Sequence, residues 1–398
     1  MSDDERSRGG AGRETWRADT LLTHAGLDPH AFHGFVNPPL VRASTVLFEN
    51  VDAMLDRSGT RYSYGLTNTP TIQALVDALN VLEGAAGTVL VPSGLAAVTT
   101  AILTAVKPGG RILVPDNVYG PTRRFCDESL PAFGVRTVYY DPLIGARIAD
   151  LLDGDATLFL EAPGSVTFEM PDLPAMVAAA RAAGALTMLD NTWATPLIYS
   201  PLAHGIDLSV SAGTKYQAGH SDLLIGSISA NETAWPALQR LHRNLGIQAG
   251  TEEIWLTLRG LRTMGVRLER HERSALEIAR WLQARKEVAR VLHPALPEDP
   301  GHAIWKRDFG RSNGLFGMVL KGEERHARAF LNALRLIGLG YSWGGFESLA
   351  VLGELEHART ARPWTEGPVV RLHIGLEDVR DLLADLERGF AAMAALDA

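Results

Sequence analysis

The chain has 398 residues, 46 % of them hydrophobic and 21 % charged, a balance that excludes a disordered, collagen-like or fibrous body and suits two packed domains. A net charge of −8 without any basic run argues against a dedicated nucleic-acid binder, and no stretch reaches the ~18 apolar residues of a membrane span. The single cysteine, Cys126, excludes an intrachain disulfide framework and a cysteine-rich zinc site.

Residues 1–18 are polar and acidic and lack the apolar segment of an export signal, so they read as a disordered tail on a cytoplasmic protein. In that compartment the Asn231-Glu232-Thr233 sequon has no consequence. Residues 19–60 mix turn signals with short apolar runs and hold too little apolar surface for a core; they read as an arm. Residues 71–83 show helical spacing and stop at Gly84. Short β-type runs follow at 88–91, 111–114, 136–140, 157–160, 186–189, 208–210 and 223–229, with helical patterns such as 174–183 between several of them. This alternation predicts an α/β unit with a mostly parallel sheet under helices. A long charged amphipathic helix is predicted over 261–285, then helices at 324–337 and 376–396 and strands at 314–320 and 369–374, the grammar of a smaller α+β unit. No internal repeat and no low-complexity segment interrupts the chain.

Ligands of parallel α/β sheets bind outside the carboxyl ends of the strands. Those ends carry Ser93-Gly94-Leu95 opening a helix, Tyr119-Gly120, Glu161-Ala162-Pro163-Gly164-Ser165, Asp190-Asn191-Thr192-Trp193 and Gly213-Thr214-Lys215-Tyr216. The set matches the needs of pyridoxal phosphate. Bare amides at a helix start suit the phosphate. A carboxylate, Asp190, suits the pyridine nitrogen, and a flat ring, Tyr119, suits stacking. Lys215 is the only lysine at a strand end and suits the aldehyde. It is also one of only five lysines, against 33 arginines, in a chain that uses Arg wherever a surface cation serves. Taken singly each residue has a plainer reading: turn chemistry at Ser93-Gly94, a helix cap at Asp190, a half-buried turn residue at Tyr119, a surface lysine at Lys215. The ordered combination carries the argument.

Asp207-Leu208, Gly213-Thr214-Lys215-Tyr216 and Gly219-His220-Ser221-Asp222 resemble the lysine motif of the cysteine/methionine-metabolism class of pyridoxal phosphate enzymes. The likeness runs from about residue 19 to the C-terminus. Within that class Glu161-Ala162-Pro163-Gly164-Ser165, Asp190-Asn191-Thr192-Trp193, Tyr341-Ser342-Trp343-Gly344-Gly345-Phe346-Glu347-Ser348 and Arg371-Leu372-His373-Ile374-Gly375-Leu376-Glu377-Asp378 are most similar to the bacterial cystathionine β-lyase branch.

The resemblance implies the aspartate aminotransferase-like α/β fold of pyridoxal phosphate-dependent transferases. It divides the chain into an arm over 19–68 that reaches a neighbouring subunit, a large cofactor-binding domain over 69–260 and an α+β domain over 261–398. It implies Lys215, Tyr119 and Tyr64 as catalytic residues. Gly94, Leu95, Tyr119, Asp190, Thr214, Lys215 and Tyr64 would hold pyridoxal 5′-phosphate, and Arg371, Ser342 and Trp343 the substrate. No metal is implied. The implied activity is β-elimination of L-cystathionine to homocysteine, pyruvate and ammonia in methionine biosynthesis. The implied assembly is a homotetramer built as a dimer of dimers, with no nucleic-acid or membrane partner.

Two positions depart from the pattern. Leu66 stands where an arm arginine is expected to reach a neighbour's phosphate, which removes a charge-assisted bond of about 1.5–3 kcal/mol unless another cation such as Arg61 compensates. Gln217 replaces an aliphatic residue beside Lys215. A γ-acting relative and a non-catalytic protein that keeps the fold remain alternatives. Nicotinamide and nucleotide enzymes lack their glycine-rich loops here, since Gly9-Gly10-Ala11-Gly12 follows no strand. Gly310-Arg311-Ser312-Asn313-Gly314 fits Gly-x-Ser-x-Gly, yet a charged stretch precedes it and an apolar strand follows, the reverse of a nucleophile elbow.

Overall fold

The computed structural model describes residues 16–56, 60–355 and 359–396. Most of the expected tail, residues 1–15, and positions 57–59 of the expected arm lie outside the described residues. The first helix, Ala18–His24, begins one residue inside the expected tail.

Among the described residues seven strands form the first sheet: β1 (Gly87–Val91), β2 (Arg111–Pro115), β3 (Arg136–Tyr140), β4 (Ala156–Glu161), β5 (Thr187–Asp190), β6 (Leu208–Ser211) and β7 (Gly226–Ala230). Their order is β1-β7-β6-β5-β4-β2-β3. Strand β7 runs antiparallel to both neighbours, β1 and β6, while the remaining pairings are parallel. All residues of β1, β4, β6 and β7 are buried, as expected for strands covered on both faces. The run expected at 223–229 becomes a strand only at Gly226. Before it, Ile225 bonds through both backbone groups to the Thr214 hydroxyl, so this stretch braces the lysine loop instead of extending the ladder.

Helix Pro70–Glu83 follows its local chemistry: Thr69 caps the Ile72 amide, Pro70 stands in the first turn and Gly84 closes the end at φ +65°. Helix Gly94–Ala105 is capped by Ser93, whose hydroxyl accepts from the Ala96 amide at 3.1 Å. Its start lies hard against neighbouring chain: a Cβ added to Gly94 would come 2.4 Å from the Cβ of Ala212, and one on Gly226 would come 2.3 Å from the Ser93 carbonyl oxygen. These contacts fix the helix start beside the lysine loop.

The long helix expected over 261–285 runs over Met264–Gln283, and a separate helix, Thr251–Leu261, ends just before it. The Gly260 carbonyl receives the Thr263 amide at 3.2 Å, the Thr263 hydroxyl at 3.3 Å and the Arg267 guanidinium at 2.9 Å. These partners close the turn early and end the first helix. Gly260 itself packs on the lysine loop, since a Cβ there would meet the Ala218 carbonyl oxygen at 2.3 Å.

The second sheet has five strands: β8 (Val288–Leu292), β9 (Leu315–Leu320), β10 (Gly338–Leu339), β11 (Leu349–Leu352) and β12 (Val369–His373), ordered β10-β11-β12-β9-β8. Its pairings are antiparallel apart from β10 with β11. Helices Glu324–Ala333 and Val379–Ala394 pack on it and end a few residues short of the expected limits. One core cluster joins the sheets, bringing Leu160, Leu189 and Trp193 together with Leu292, Leu315 and Val369.

Candidate active site

A cavity of about 260 Å³ opens where the ends of β4, β5 and β6 face β12 and the loop over residues 341–348. Its walls include Gly94, Leu95, Tyr119, Asp190, Thr214, Lys215, Ser342, Trp343 and Arg371. Nine of the ten residues expected at the site therefore line one cavity. The tenth, Tyr64, does not. It is half exposed in the arm, where it bridges to Thr45.

Lys215 lies four residues past the end of β6, in the loop over 212–219. Its Nζ donates to the Ser342 hydroxyl at 2.6 Å and lies 5.5 Å from the centre of the Trp343 ring. Burial and then the Arg371 charge pull its pKa down to about 8, against the opposing pull of Asp190. Asp190 ends β5 and accepts from the Thr192 amide at 3.0 Å. Burial raises its pKa, while the Thr192 hydrogen bonds and the Lys215 charge hold it down. Arg371, in the middle of β12, donates to the Ser342 carbonyl at 3.1 Å, and burial lowers it to about 10. Ser342 is held at φ +78°, in the left-handed region that a residue with a Cβ rarely adopts. Lys215 and Arg371 together tie both its ends.

Glu161 also lines the cavity and is absent from the expected set. It ends β4 in register with Asp190 on β5, so the two carboxyl groups are neighbours on one sheet edge. Its Oε2 accepts from the Tyr119 amide at 2.9 Å, and burial followed by the Asp190 charge pushes its pKa well above the usual range. It was visible in the sequence as a strand-end carboxylate. What the sequence lacked was the register that pairs it with Asp190.

Thr214 lines the cavity, but its hydroxyl donates to the Ile225 carbonyl at 3.1 Å and accepts from the Ile225 amide at 3.0 Å. Its one proton is thereby used within the protein. Gln217 is buried and its Oε1 sits under Gly213, where a Cβ would come within 2.8 Å. In the Gly-x-Ser-x-Gly stretch Ser312 and Asn313 are buried and structural: Ser312 bonds to Glu272 at 3.2 Å and the Asn313 amide group donates to the Trp193 carbonyl at 2.6 Å.

The donor set fits pyridoxal phosphate. Gly94 and Leu95 supply the first amides of a helix, which have no acceptor within it. Lys215 supplies an amine that is neutral in part near neutral pH, and Asp190 a carboxylate. Among the described lining residues Lys215 and Arg371 are the only lysine and arginine, so the amide end of the cavity has no cation of its own.

A doubly layered α/β fold with a lysine, a carboxylate and a helix start at one sheet edge defines a fold type I pyridoxal phosphate enzyme. The chain belongs to the Cys/Met metabolism PLP-dependent enzyme family, whose model matches residues 19–391. It is 55 % identical over 384 residues to a putative cystathionine beta-lyase of Rhizobium johnstonii, covering 95 % of this chain and 97 % of that one. It is 43 % identical over 388 residues to cystathionine beta-lyase MetC of Escherichia coli, covering 94 % and 98 %. The solved cystathionine gamma synthase of Xanthomonas oryzae pv. oryzae in complex with cystathionine superposes with a TM-score of 0.87 at 32 % identity, over 96 % of this chain and 99 % of that one.

Proposed function

We propose that this enzyme cleaves the Cβ–S bond of L-cystathionine, releasing homocysteine, pyruvate and ammonia in methionine biosynthesis. The observation that carries the chemistry is the Lys215 amine, lowered to about 8, facing Arg371 across one cavity. The choice of β- over γ-chemistry is supported by identities of 55 % and 43 % to two cystathionine beta-lyases, against 32 % to the gamma synthase.

Pyridoxal phosphate, when bound, supplies an aldehyde for amines and a ring that accepts the electron pair left at Cα. Gly94 and Leu95 would hold its phosphate, with Tyr64 reaching in from a neighbouring subunit. Asp190 would keep its ring nitrogen protonated, and Tyr119 would lie against the ring. Thr214 would serve this end through its position, since its hydroxyl is engaged. Arg371 would grip the substrate carboxylate as a bidentate fork. Ser342 and Trp343 would shape the pocket around the freed lysine. The Lys215 amine would take the Cα proton in its neutral form and hand a proton to the departing thiolate. The arm over 19–68, the large domain over 69–260 and the second domain over 261–398 would assemble as a cytoplasmic homotetramer; among the described residues no helix is long and apolar enough to cross a membrane.

The test is incubation of the cofactor-loaded protein with L-cystathionine and identification of the keto acid. Pyruvate with homocysteine is the expected result. 2-Oxobutyrate with cysteine would move the protein to γ-elimination, and no keto acid would leave a protein that keeps the fold for another purpose.

A further inference from the structure

Behind the cavity, two buried histidines stand in a row. His373 is two residues beyond Arg371 on β12 and therefore shares its face. Its Nε2 lies 3.1 Å from the Gly344 amide nitrogen and 3.2 Å from the Gly345 carbonyl oxygen. One ring nitrogen cannot serve both. A bare Nε2 accepts from the amide; a protonated one donates to the carbonyl. The amide is the costlier group to leave unpaired, because a buried N–H has a single bond to make and a carbonyl has two lone pairs. That choice puts the ring proton on Nδ1, which is buried and has no partner among the described residues.

His271, from helix Met264–Gln283, supplies the complement. Its Nδ1 donates to the Ile374 carbonyl at 2.7 Å, so its Nε2 is bare, and that atom too is buried without a partner among the described residues. The ring centres are 5.2 Å apart. That spacing admits an N–H···N bond of about 3 Å when the two nitrogens lie on the line between the ring centres. Neighbouring rings thus hold one unpaired donor and one unpaired acceptor among the described residues.

The loop they hold carries the site. Gly344 has φ +86°, and a Cβ there would come 3.0 Å from the Lys215 carbonyl carbon, so the loop lies directly on the lysine backbone. Ser342 and Gly344, both at positive φ, bracket Trp343. A strained segment keeps its shape only where its surroundings fix it.

We propose that His271 and His373 form a proton-ordered pair, His373 Nδ1–H donating to His271 Nε2, which clamps the Gly344 amide and so sets Ser342 and Trp343 against Lys215. His373 is a positioning residue; this role rests on the reading of Lys215 and Ser342 as the working site. The groups around the pair favour neutral rings. Lys215, Arg371, Arg267 and Arg270 bring positive charge from the lysine loop, β12 and the helix, and Tyr216 packs edge-on against both imidazoles. Burial lowers His271 to about 4 and His373 well below its usual value.

Neutron diffraction from deuterium-exchanged crystals of the holoenzyme reads the pair directly. Deuterons are expected on Nδ1 of both rings and on neither Nε2; a deuteron on His373 Nε2 overturns the proposal. Kinetics supply the second readout. His373→Gln retains an acceptor for the Gly344 amide and should keep kcat/KM within about threefold. His373→Phe retains bulk alone and should lose about a hundredfold, the scale of an ångström's misplacement, with cofactor stoichiometry and circular dichroism unchanged. Equal effects of the two variants overturn the clamp. Absence of lyase activity in the unaltered enzyme would count against cystathionine and leave the neutron result to decide the pair, with the rate of cofactor uptake by Lys215 replacing kcat/KM as the readout for the variants.

Discussion

Lys215 combines one short hydrogen bond with a cationic neighbour. Its Nζ sits 2.6 Å from the Ser342 hydroxyl, and burial with the Arg371 charge brings it to about 8. Only the neutral amine attacks an aldehyde. The rate at which the cofactor-free enzyme takes up pyridoxal phosphate should therefore rise about tenfold per pH unit up to about pH 8 and level off above it. Stopped-flow absorbance of the incorporated cofactor measures this; a profile still rising at pH 10, near the ordinary lysine value, would show the depression to be absent. Arg371→Leu belongs to the same scale. Loss of a charge-assisted fork worth about 1.5–3 kcal/mol should raise KM about ten- to a hundredfold, with cofactor binding retained. In the sequence Lys215, Asp190, Tyr119 and Arg371 were legible because chemistry restricts them to a few residue types at strand ends or within an apolar run. Glu161 carries no such mark in the sequence, because its meaning lies in its register with Asp190.

Elements show where local signals suffice. Thr69, Pro70 and Gly84 delimit helix Pro70–Glu83 by capping chemistry that any reader of the sequence can apply. Helix Met264–Gln283 is different. Its separation from Thr251–Leu261 depends on an arginine side chain reaching the Gly260 carbonyl, which no periodicity reveals. Glu83, the last residue of Pro70–Glu83, carries a further consequence. It is 2 % exposed, its Oε2 has no partner among the described residues, and burial raises its pKa from 4.5 to about 7. The folded state holds this proton where the unfolded state has released it. Stability should therefore fall as pH rises from about 4.5 to about 7 and stay level above. Glu83→Gln removes the titration, so its melting temperature should overtake that of the unaltered protein by several degrees at pH 8 and converge with it near pH 4. A constant difference across that range, measured by calorimetry, would refute the assignment.

At the scale of the molecule, the segment over 19–68 carries the exposed apolar residues on which the proposed assembly rests. Phe35 is 70 %, Leu47 89 % and Leu55 73 % exposed, an apolar surface that a lone chain would hold in water. Tyr64 and Leu66 stand on the same arm, away from the cavity of their own chain. Light scattering should report a tetramer, and Phe35→Asp with Leu47→Asp should shift it toward smaller species that retain cofactor poorly. Leu66→Arg places a guanidinium on the arm and should tighten cofactor binding about ten- to a hundredfold. No change in affinity would mean that the arm does not reach a phosphate.

The sequence by itself determined the layered α/β plan, the strand ends and the residue types gathered there, since periodicity, capping and strand-end position are local properties of the chain. It also carried the family, whose motifs lie in contiguous segments. Only the tertiary structure decided which side chains meet. It turned β7 against its neighbours, paired Glu161 with Asp190, committed the Thr214 hydroxyl to Ile225 and set His373 against the Gly344 amide. Those outcomes depend on register and on contacts between segments more than a hundred residues apart in some cases, such as Lys215 with Ser342, and a one-dimensional pattern holds no record of such distances.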